Sequence, residues 1–296
     1  MKNIKPGHIA PVVCLDAGHY GKYNRSPVVK EYYESDIMWK LHKYQEEELK
    51  KHGIRVELTR SSQLYDRDLV ARGRASRGAD LFISSHSNAS NDDNVDRPEA
   101  IYLFDDNCGA IDAASKEVAK LLVDTVSSAM QTTDVGRIYS KLSGVDRDGD
   151  GAKNDDYYGV LYGAHQVGTP AVILEHSFHT NERAAKWLLN DFNLHKLAKA
   201  EANTIANWFG IPINTYDGAV DHAKSYGLGK AGTYRVKSSD GTLNLRAGAS
   251  AQKPLIEVMP NNSLVNCYGY YTGDWLYVVS AKGNVGFCHS GYLSKV

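Results

Sequence analysis

Ala79-Asp80-Leu81-Phe82-Ile83-Ser84-Ser85-His86-Ser87-Asn88-Ala89 sets a short apolar run directly before a histidine. Short runs of Val, Ile, Leu and Phe read as strands buried on both faces. Two other stretches repeat the pattern: Val12-Val13-Cys14-Leu15 before Asp16-Ala17-Gly18-His19, and Ala171-Val172-Ile173-Leu174 before Glu175. In open α/β sheets, sites form at the carboxyl ends of the strands. His19, His86 and Glu175, far apart along the chain, are therefore expected to converge at one edge of a sheet.

Helical stretches lie between these runs. Glu34 to His52 reads as a helix ending at Gly53, and Ile54 to Leu58 alternates like the strand after it. Ile111 to Met130 is a second helix, and Glu182 to Phe209 a third, ending at Gly210. Alternating strands and helices give an α/β class for residues 1–210. Residues 211–231 carry Pro212, several glycines and no sustained periodicity, and read as a linker. Short strands with turn signals fill residues 232–296, the pattern of a small all-β barrel near the lower size limit for a self-standing core.

The 296 residues carry a formal net charge of -1 and are 42% hydrophobic, an ordinary globular balance that favours neither nucleic acid nor a membrane surface as partner. No apolar stretch is long enough for membrane insertion, and Met1 to His8 lacks the apolar core of a signal peptide. Synthesis in the cytoplasm is the expectation. Cys14, Cys108, Cys267 and Cys288 show no C-x-x-C spacing and read as reduced, mostly buried thiols. Cys267 and Cys288 fall on strands of one small domain and could be neighbours.

Catalytic zinc takes three protein ligands and leaves a fourth position for water. His19 and His86 offer two imidazoles. Glu31-Tyr32-Tyr33-Glu34-Ser35-Asp36 offers an acid, with Glu34 favoured because it opens a helix, and Glu31 as the fallback. With 11 histidines and no H-E-x-x-H, spacing alone is weak evidence. Order adds more: Asp16-Ala17-Gly18-His19, Leu58-Thr59-Arg60, Leu69-Val70-Ala71-Arg72, the 79–89 stretch, Pro98-Glu99-Ala100-Ile101-Tyr102, then Pro170 to Asn181.

This ordered series resembles the zinc-dependent N-acetylmuramoyl-L-alanine amidases of the Amidase_3 type over residues 11–210. The resemblance implies an open mixed, mostly parallel sheet flanked by helices. It also implies zinc held by His19, Glu34 and His86, Glu175 as catalytic acid/base, and the amide between N-acetylmuramic acid and L-alanine in peptidoglycan as substrate. Zinc lowers the pKa of bound water from 15.7 to about 7 and polarises the carbonyl, so no Ser, Cys or Thr nucleophile is needed. Glu175 would take the water's proton and deliver it to the leaving nitrogen.

One motif departs from the family. Ser177 stands where glycine is usual before Phe178, His179 where an apolar residue follows, and His176 adds another imidazole. His176 and His179 read as pocket or core histidines with satisfied hydrogen bonds. The functional alternative gives one of them a role at the tetrahedral intermediate or the stem peptide, with Asn88 as a further substrate contact.

Asp146-Arg147-Asp148-Gly149-Asp150-Gly151 reads like the first half of a calcium loop, with Asp146, Asp148 and Asp150 as ligands. The twelfth position is Tyr157 instead of a bidentate acid, so Asp155 or Asp156 would serve only through a changed loop geometry. Gly232 to Val236, Leu243-Asn244-Leu245-Arg246-Ala247-Gly248, Gly273 to Val278 and Gly286 to Leu293 resemble bacterial SH3-like domains, which implies a wall-targeting module. Arg235, Lys237, Arg246, Lys253, Lys282 and Lys295 outnumber its acids, which favours an anionic wall polymer or peptide carboxylates. Tyr268, Tyr270 and Tyr271 read either as an aromatic contact surface or as core.

The expected function is peptidoglycan hydrolysis, by a phage or prophage endolysin that reaches the wall after holin-type release. A zinc peptidase acting on stem peptides and a non-catalytic peptidoglycan-binding protein are the alternatives.

Overall fold

The computed structural model describes residues 2–104, 109–211 and 220–296. Cys108 and the stretch 212–219 of the expected linker lie outside the described residues. The chain divides into two compact units, one of Val12–Glu48 and Val56–Trp208, the other of Met1–Pro11, Leu49–Arg55 and Phe209–Val296.

The first unit is built on a six-stranded sheet in the order β2-β1-β3-β6-β4-β5. Its strands are β1 (Val12–Ala17), β2 (Arg55–Leu58), β3 (Leu81–Asn88), β4 (Glu99–Tyr102), β5 (Arg137–Tyr139) and β6 (Ala171–Phe178). β1, β3 and β6 run parallel, while β4 runs antiparallel to β6 and carries β5 parallel to itself. The sheet is therefore mixed. Every residue of β1 is buried, which is why its sequence is a continuous apolar run and does not alternate. Val12, Cys14, Phe82, Ile101, Ala171 and Ile173 pack with Val160, Leu161 and Ala164 in one core cluster.

The helices are α1 (Glu34–Lys51), α2 (Leu69–Arg74), α3 (Gly109–Met130), α4 (Gly159–His165), α5 (Glu182–Leu189) and α6 (Asp191–Trp208). Glu34 and Asp36 in the first turn of α1 and Lys50 and Lys51 in its last complement the helix dipole, and Gly53 follows with φ +74°. The single helix expected over Glu182–Phe209 is two. Asn190 adopts extended backbone (φ −78°, ψ 115°) and its Oδ1 accepts the Asn193 amide at 3.2 Å, so it ends α5 and caps α6.

Between β5 and α4 the acidic insert closes on itself: the Ser143 amide donates to the Asp155 carbonyl at 2.8 Å and the Tyr157 amide to the Lys141 carbonyl at 2.9 Å. The grouping expected for a cation changes as a result. Asp146 and Asp148 are brought together with Asp155, while Asp150 stands outside that group and accepts the Ala152 amide at 2.7 Å.

The second unit contains β7 (Ser225–Tyr226), β8 (Gly232–Val236), β9 (Thr242–Arg246), β10 (Leu255–Pro260), β11 (Leu264–Thr272), β12 (Trp275–Ser280), β13 (Val285–His289) and β14 (Leu293–Lys295). These form one eight-stranded sheet with antiparallel pairings, around a core of Tyr234, Val236, Leu245, Met259, Val265, Leu276 and Val278. β7 pairs with Tyr270 and Tyr271, so the segment expected to be the end of a linker is part of this sheet. Cys14, Cys267 and Cys288 are free buried thiols. Tyr268 is 3% exposed and belongs to the core, not to a contact surface.

Candidate active site

Strand register assembles the site. His86 lies opposite Glu175 across β3 and β6, and Ala17 lies opposite Ser85 across β1 and β3. The Gly18 amide continues the ladder to the Ser85 carbonyl at 2.8 Å, after which the chain turns at His19, whose φ is +58°. A left-handed residue other than glycine is uncommon, though less so for Asn, Asp and His, and persists where its surroundings hold it. The turn aims the His19 ring at His86, with centroids 5.1 Å apart, and stacks it on Tyr23 at 4.7 Å.

Glu34, 1% exposed at the start of α1, completes the group. His19 Nε2 stands 3.2 Å from Glu34 Oε2 and His86 Nδ1 2.9 Å from Glu34 Oε1. One donor atom from each of the three lies within 4.8 Å of the others. Glu31 is exposed, and Glu34 is the acid that stands with the two imidazoles. The Ser87 amide donates to Oε1 at 3.1 Å and Asn24 Nδ2 to Oε2 at 2.8 Å, which orient the carboxylate.

The electrostatics are reciprocal. Burial alone would raise Glu34, but the two imidazoles outweigh it and hold the carboxyl well below its usual range. Burial alone would lower His86, but Glu34 outweighs it and raises the ring to about 9. Two imidazoles and one carboxylate converging this closely form a donor set a divalent cation fits, and metal binding displaces a proton such as the one His86 holds against Glu34. Glu175 differs. Burial, reinforced by the charge of Glu34 and opposed by His86, pushes it up to about 7, and its Oε2 is buried without a hydrogen-bond partner.

Buried arginines hold the loop after β1. Arg72, 3% exposed, stands 3.6 Å from Asp16 Oδ2, donates to the Ala17 carbonyl at 3.3 Å and pairs with Asp66 at 2.9 Å. Arg60 also donates to the Ala17 carbonyl. Thr59 and Ser84 satisfy the Asp16 carboxylate at 2.5 and 2.8 Å. These are the arginines of the Leu58-Thr59-Arg60 and Leu69-Val70-Ala71-Arg72 motifs, whose place in the ordered series marked them but did not show what they hold. Asn24 carried no such mark.

The remaining expected residues divide. His176 is fully buried, with Nδ1 at 2.9 Å from the His86 carbonyl and Nε2 at 2.8 Å from Glu201 Oε1. Both nitrogens are used within the core, so it faces no substrate. His179, 4% exposed, lies 2.8 Å through Nδ1 from the Ser87 carbonyl and is likewise internal. Asn88 is half-buried and donates to Glu99 Oε2 at 3.2 Å. Ser177 has φ +62°, which explains why glycine suits that position, and its hydroxyl donates to Asp96 at 2.8 Å.

A cavity of about 570 Å³ opens over this edge, lined by His19, His86, Glu175, Tyr23, Tyr158 and Val160 among others. The second unit has its own cleft of about 240 Å³, where Trp275, His289 and Tyr292 stand together. Their ring centroids are 5.4 Å (Trp275 to His289) and 5.6 Å (His289 to Tyr292) apart.

The bacterial SH3 domain family matches residues 241–294. No curated protein matches the chain. Among solved structures, the catalytic domain of CwlV, an N-acetylmuramoyl-L-alanine amidase from Bacillus (Paenibacillus) polymyxa var. colistinus, is 23% identical with a TM-score of 0.54, over 68% of this chain and 98% of that one. An N-acetylmuramoyl-L-alanine amidase from Clostridium difficile 630 gives 23% and 0.54 over 68% and 97%. The amidase AmiC2 of Nostoc punctiforme gives 20% and 0.53, again over 68% and 97%. At such identities the likeness establishes the fold. The N-acetylmuramoyl-L-alanine amidase family (Amidase_3) matches residues 13–207, well over half of the chain, and to that family this chain belongs.

Proposed function

We propose that this amidase cleaves the bond between N-acetylmuramic acid and L-alanine in peptidoglycan with zinc held by His19, Glu34 and His86 and with Glu175 as acid/base. The observation that carries the reading is the grouping of those three donors within 4.8 Å beside a buried Glu175 oxygen that has no partner. Zinc, when bound, supplies Lewis acidity that polarises the scissile carbonyl and acidifies the attacking water.

The protein's own groups do the rest. Glu175 Oε2 accepts the proton of the water as its oxygen bonds to the carbonyl carbon. It then returns that proton to the alanine nitrogen as the carbon–nitrogen bond breaks, leaving a lactyl carboxylate and a free stem-peptide amine. Asn24 and the Ser87 amide keep Glu34 turned toward both imidazoles, and Arg60 and Arg72 keep the His19 loop in place. Asn88, half-buried two residues beyond His86 on β3 and bonded to Glu99, is the substrate contact retained from the expected set. The cleft at Trp275, His289 and Tyr292 supports wall binding by the SH3 domain, since aromatic faces suit sugar and peptide surfaces. As part of the same proposal the chain acts as an endolysin, so its expression lyses cells from within only alongside a holin.

Digestion of purified walls with mass spectrometry of the products tests the bond. Intact stem peptides with a new alanine amine are expected, whereas cleavage inside the stem makes it a peptidase. Glu175→Gln is expected to lower turnover on the order of 10²–10⁴-fold. Equal lysis by wild type, Glu175→Gln and a chelator-treated sample would overturn the mechanism.

A further inference from the structure

The loop between β5 and α4 holds acids that the reaction does not use. Asp146, Asp148 and Asp155 each place a carboxylate oxygen within 4.8 Å of the others. Acids on surface loops are common, and Asp155 is what separates this group from them. It is 1% exposed, its Oδ2 accepts the Arg147 amide at 2.5 Å, and its Oδ1 is buried with no hydrogen-bond partner. A buried carboxylate is held by a counter-charge, by hydrogen bonds or by a metal. The nearby cation does not fill that role: the Arg147 guanidinium donates to the Asp156 carbonyl at 2.7 Å and lies 3.9 Å from the Tyr162 ring centre.

We propose that Asp146, Asp148 and Asp155 form a calcium site. An all-oxygen donor set with three carboxylates suits a hard divalent cation, and calcium tolerates the irregular geometry of a loop. The loop is shaped for the purpose. Gly149 (φ +89°) and Gly151 (φ +94°) take left-handed turns, and their amides donate to the two Asp146 oxygens at 2.6 and 3.0 Å. The Asp150 amide donates to Asp148 Oδ1 at 3.0 Å.

The structure also resolves a mismatch in the sequence. A twelve-residue calcium loop starting at Asp146 would close on position 157, which is a tyrosine. Here the bridge between Leu142 and Asp156 closes the loop earlier, and the buried Asp155 stands with Asp146 and Asp148 in place of an acid at the twelfth position. The same segment continues into Tyr158, Gly159 and Val160, which line the cavity over His19, His86 and Glu175. Calcium bound in the loop therefore fixes one wall of the substrate cavity. The site itself stands independently of the zinc mechanism; only the coupling to turnover rests on it.

The test is calcium titration of the full-length, zinc-loaded protein by calorimetry and by thermal unfolding. Saturable binding of one ion is expected, with Kd on the order of 10⁻⁴–10⁻³ M, the range of extracellular modules. Asp148→Asn, at an exposed residue, is expected to weaken it at least about tenfold and to abolish the calcium-dependent rise in Tm, and Asp155→Asn to do the same if it folds. His86→Ala, which removes a zinc donor, is expected to leave calcium affinity unchanged. The proposal is overturned if wild type shows no saturable binding, if Asp148→Asn binds as wild type does, or if His86→Ala abolishes binding, which would place the ion in the zinc group.

Discussion

Gly18→Ala tests the site through a single methyl group. A Cβ at residue 18 would lie 2.5 Å from His86 Cε1, 2.6 Å from His86 Nδ1 and 2.8 Å from the Ser85 carbonyl oxygen. Non-bonded heavy atoms settle near 3.5–4.0 Å, so something must give by about 1 Å. The Ser85 carbonyl is fixed in the β3 ladder, where it accepts the Gly18 amide. The yielding group is the His86 ring, or else the Gly18–His19 turn. Either movement carries one imidazole away from Glu34. Residue 18 is absent from the positive-φ glycines, so alanine meets no backbone strain there and the effect is steric. The His86 side chain is 21% exposed and can swing outward, which limits the stability cost to the low end of about 1–3 kcal/mol for overpacking. Function suffers more: a displacement of about 1 Å at a reacting centre costs on the order of 10²-fold. The expected result is a near-normal Tm, zinc affinity down about 10–100-fold in competition with a chromophoric chelator, and wall clearing down about 10²-fold. Gly109→Ala, with nothing within 4 Å of its Cβ, is the control. Wild-type zinc affinity and lysis in Gly18→Ala would refute the argument that this glycine exists to admit the His86 ring.

Two further predictions concern the scaffold. In Gly163→Ala the new Cβ would strike the Val70 carbonyl where α4 crosses α2, so a loss of about 1–3 kcal/mol is expected, lowering Tm by roughly 2–4 °C per kcal/mol; an unchanged Tm would mean the helices are not in backbone contact. His42 is 1% exposed, and burial pushes its imidazole from the ordinary 6.5 down to about 4. The unfolded chain therefore binds the proton first as pH falls. Stability from this group is complete above pH 6.5 and is lost toward pH 4, by up to ~3 kcal/mol. Denaturant unfolding of wild type and His42→Leu should diverge over that window, and a constant difference between them would show that His42 does not titrate as a buried group.

Much of the fold was legible because its central strands are buried on both faces and so appear as unbroken apolar runs. The strand ends carried His19, His86 and Glu175 with them, since register fixes where a strand-end residue points. Glu34 was less secure. Only its place at the start of a helix favoured it over Glu31, and the structure shows Glu34 buried at the start of α1 with Glu31 exposed. Contacts distant in sequence were invisible. Asp16 and Arg72 meet only once β1, β3 and α2 are assembled, and it takes the bridge between Leu142 and Asp156 to choose between the two acids, Asp155 and Asp156, that the sequence left open. The break at Asn190 carries no glycine or proline to mark it, and shows only where its side chain accepts the Asn193 amide.

The bracing of the site bears on its affinity for a metal. His19 and Ser177 are non-glycine residues in left-handed backbone, a conformation that costs of order 1–3 kcal/mol each and persists only where surroundings impose it. For His19 the imposing groups are Arg60 and Arg72 on the Ala17 carbonyl, with Asp16 as their buried counter-charge. For Ser177 they are Asp96 and, behind it, Arg183. None of these groups is itself a donor to the cation. The ligand geometry is therefore paid for in folding, and binding has only to displace the proton that His86 holds against Glu34. Affinity should accordingly fall with pH through protonation, while damage to Arg72 should act through lost positioning at every pH.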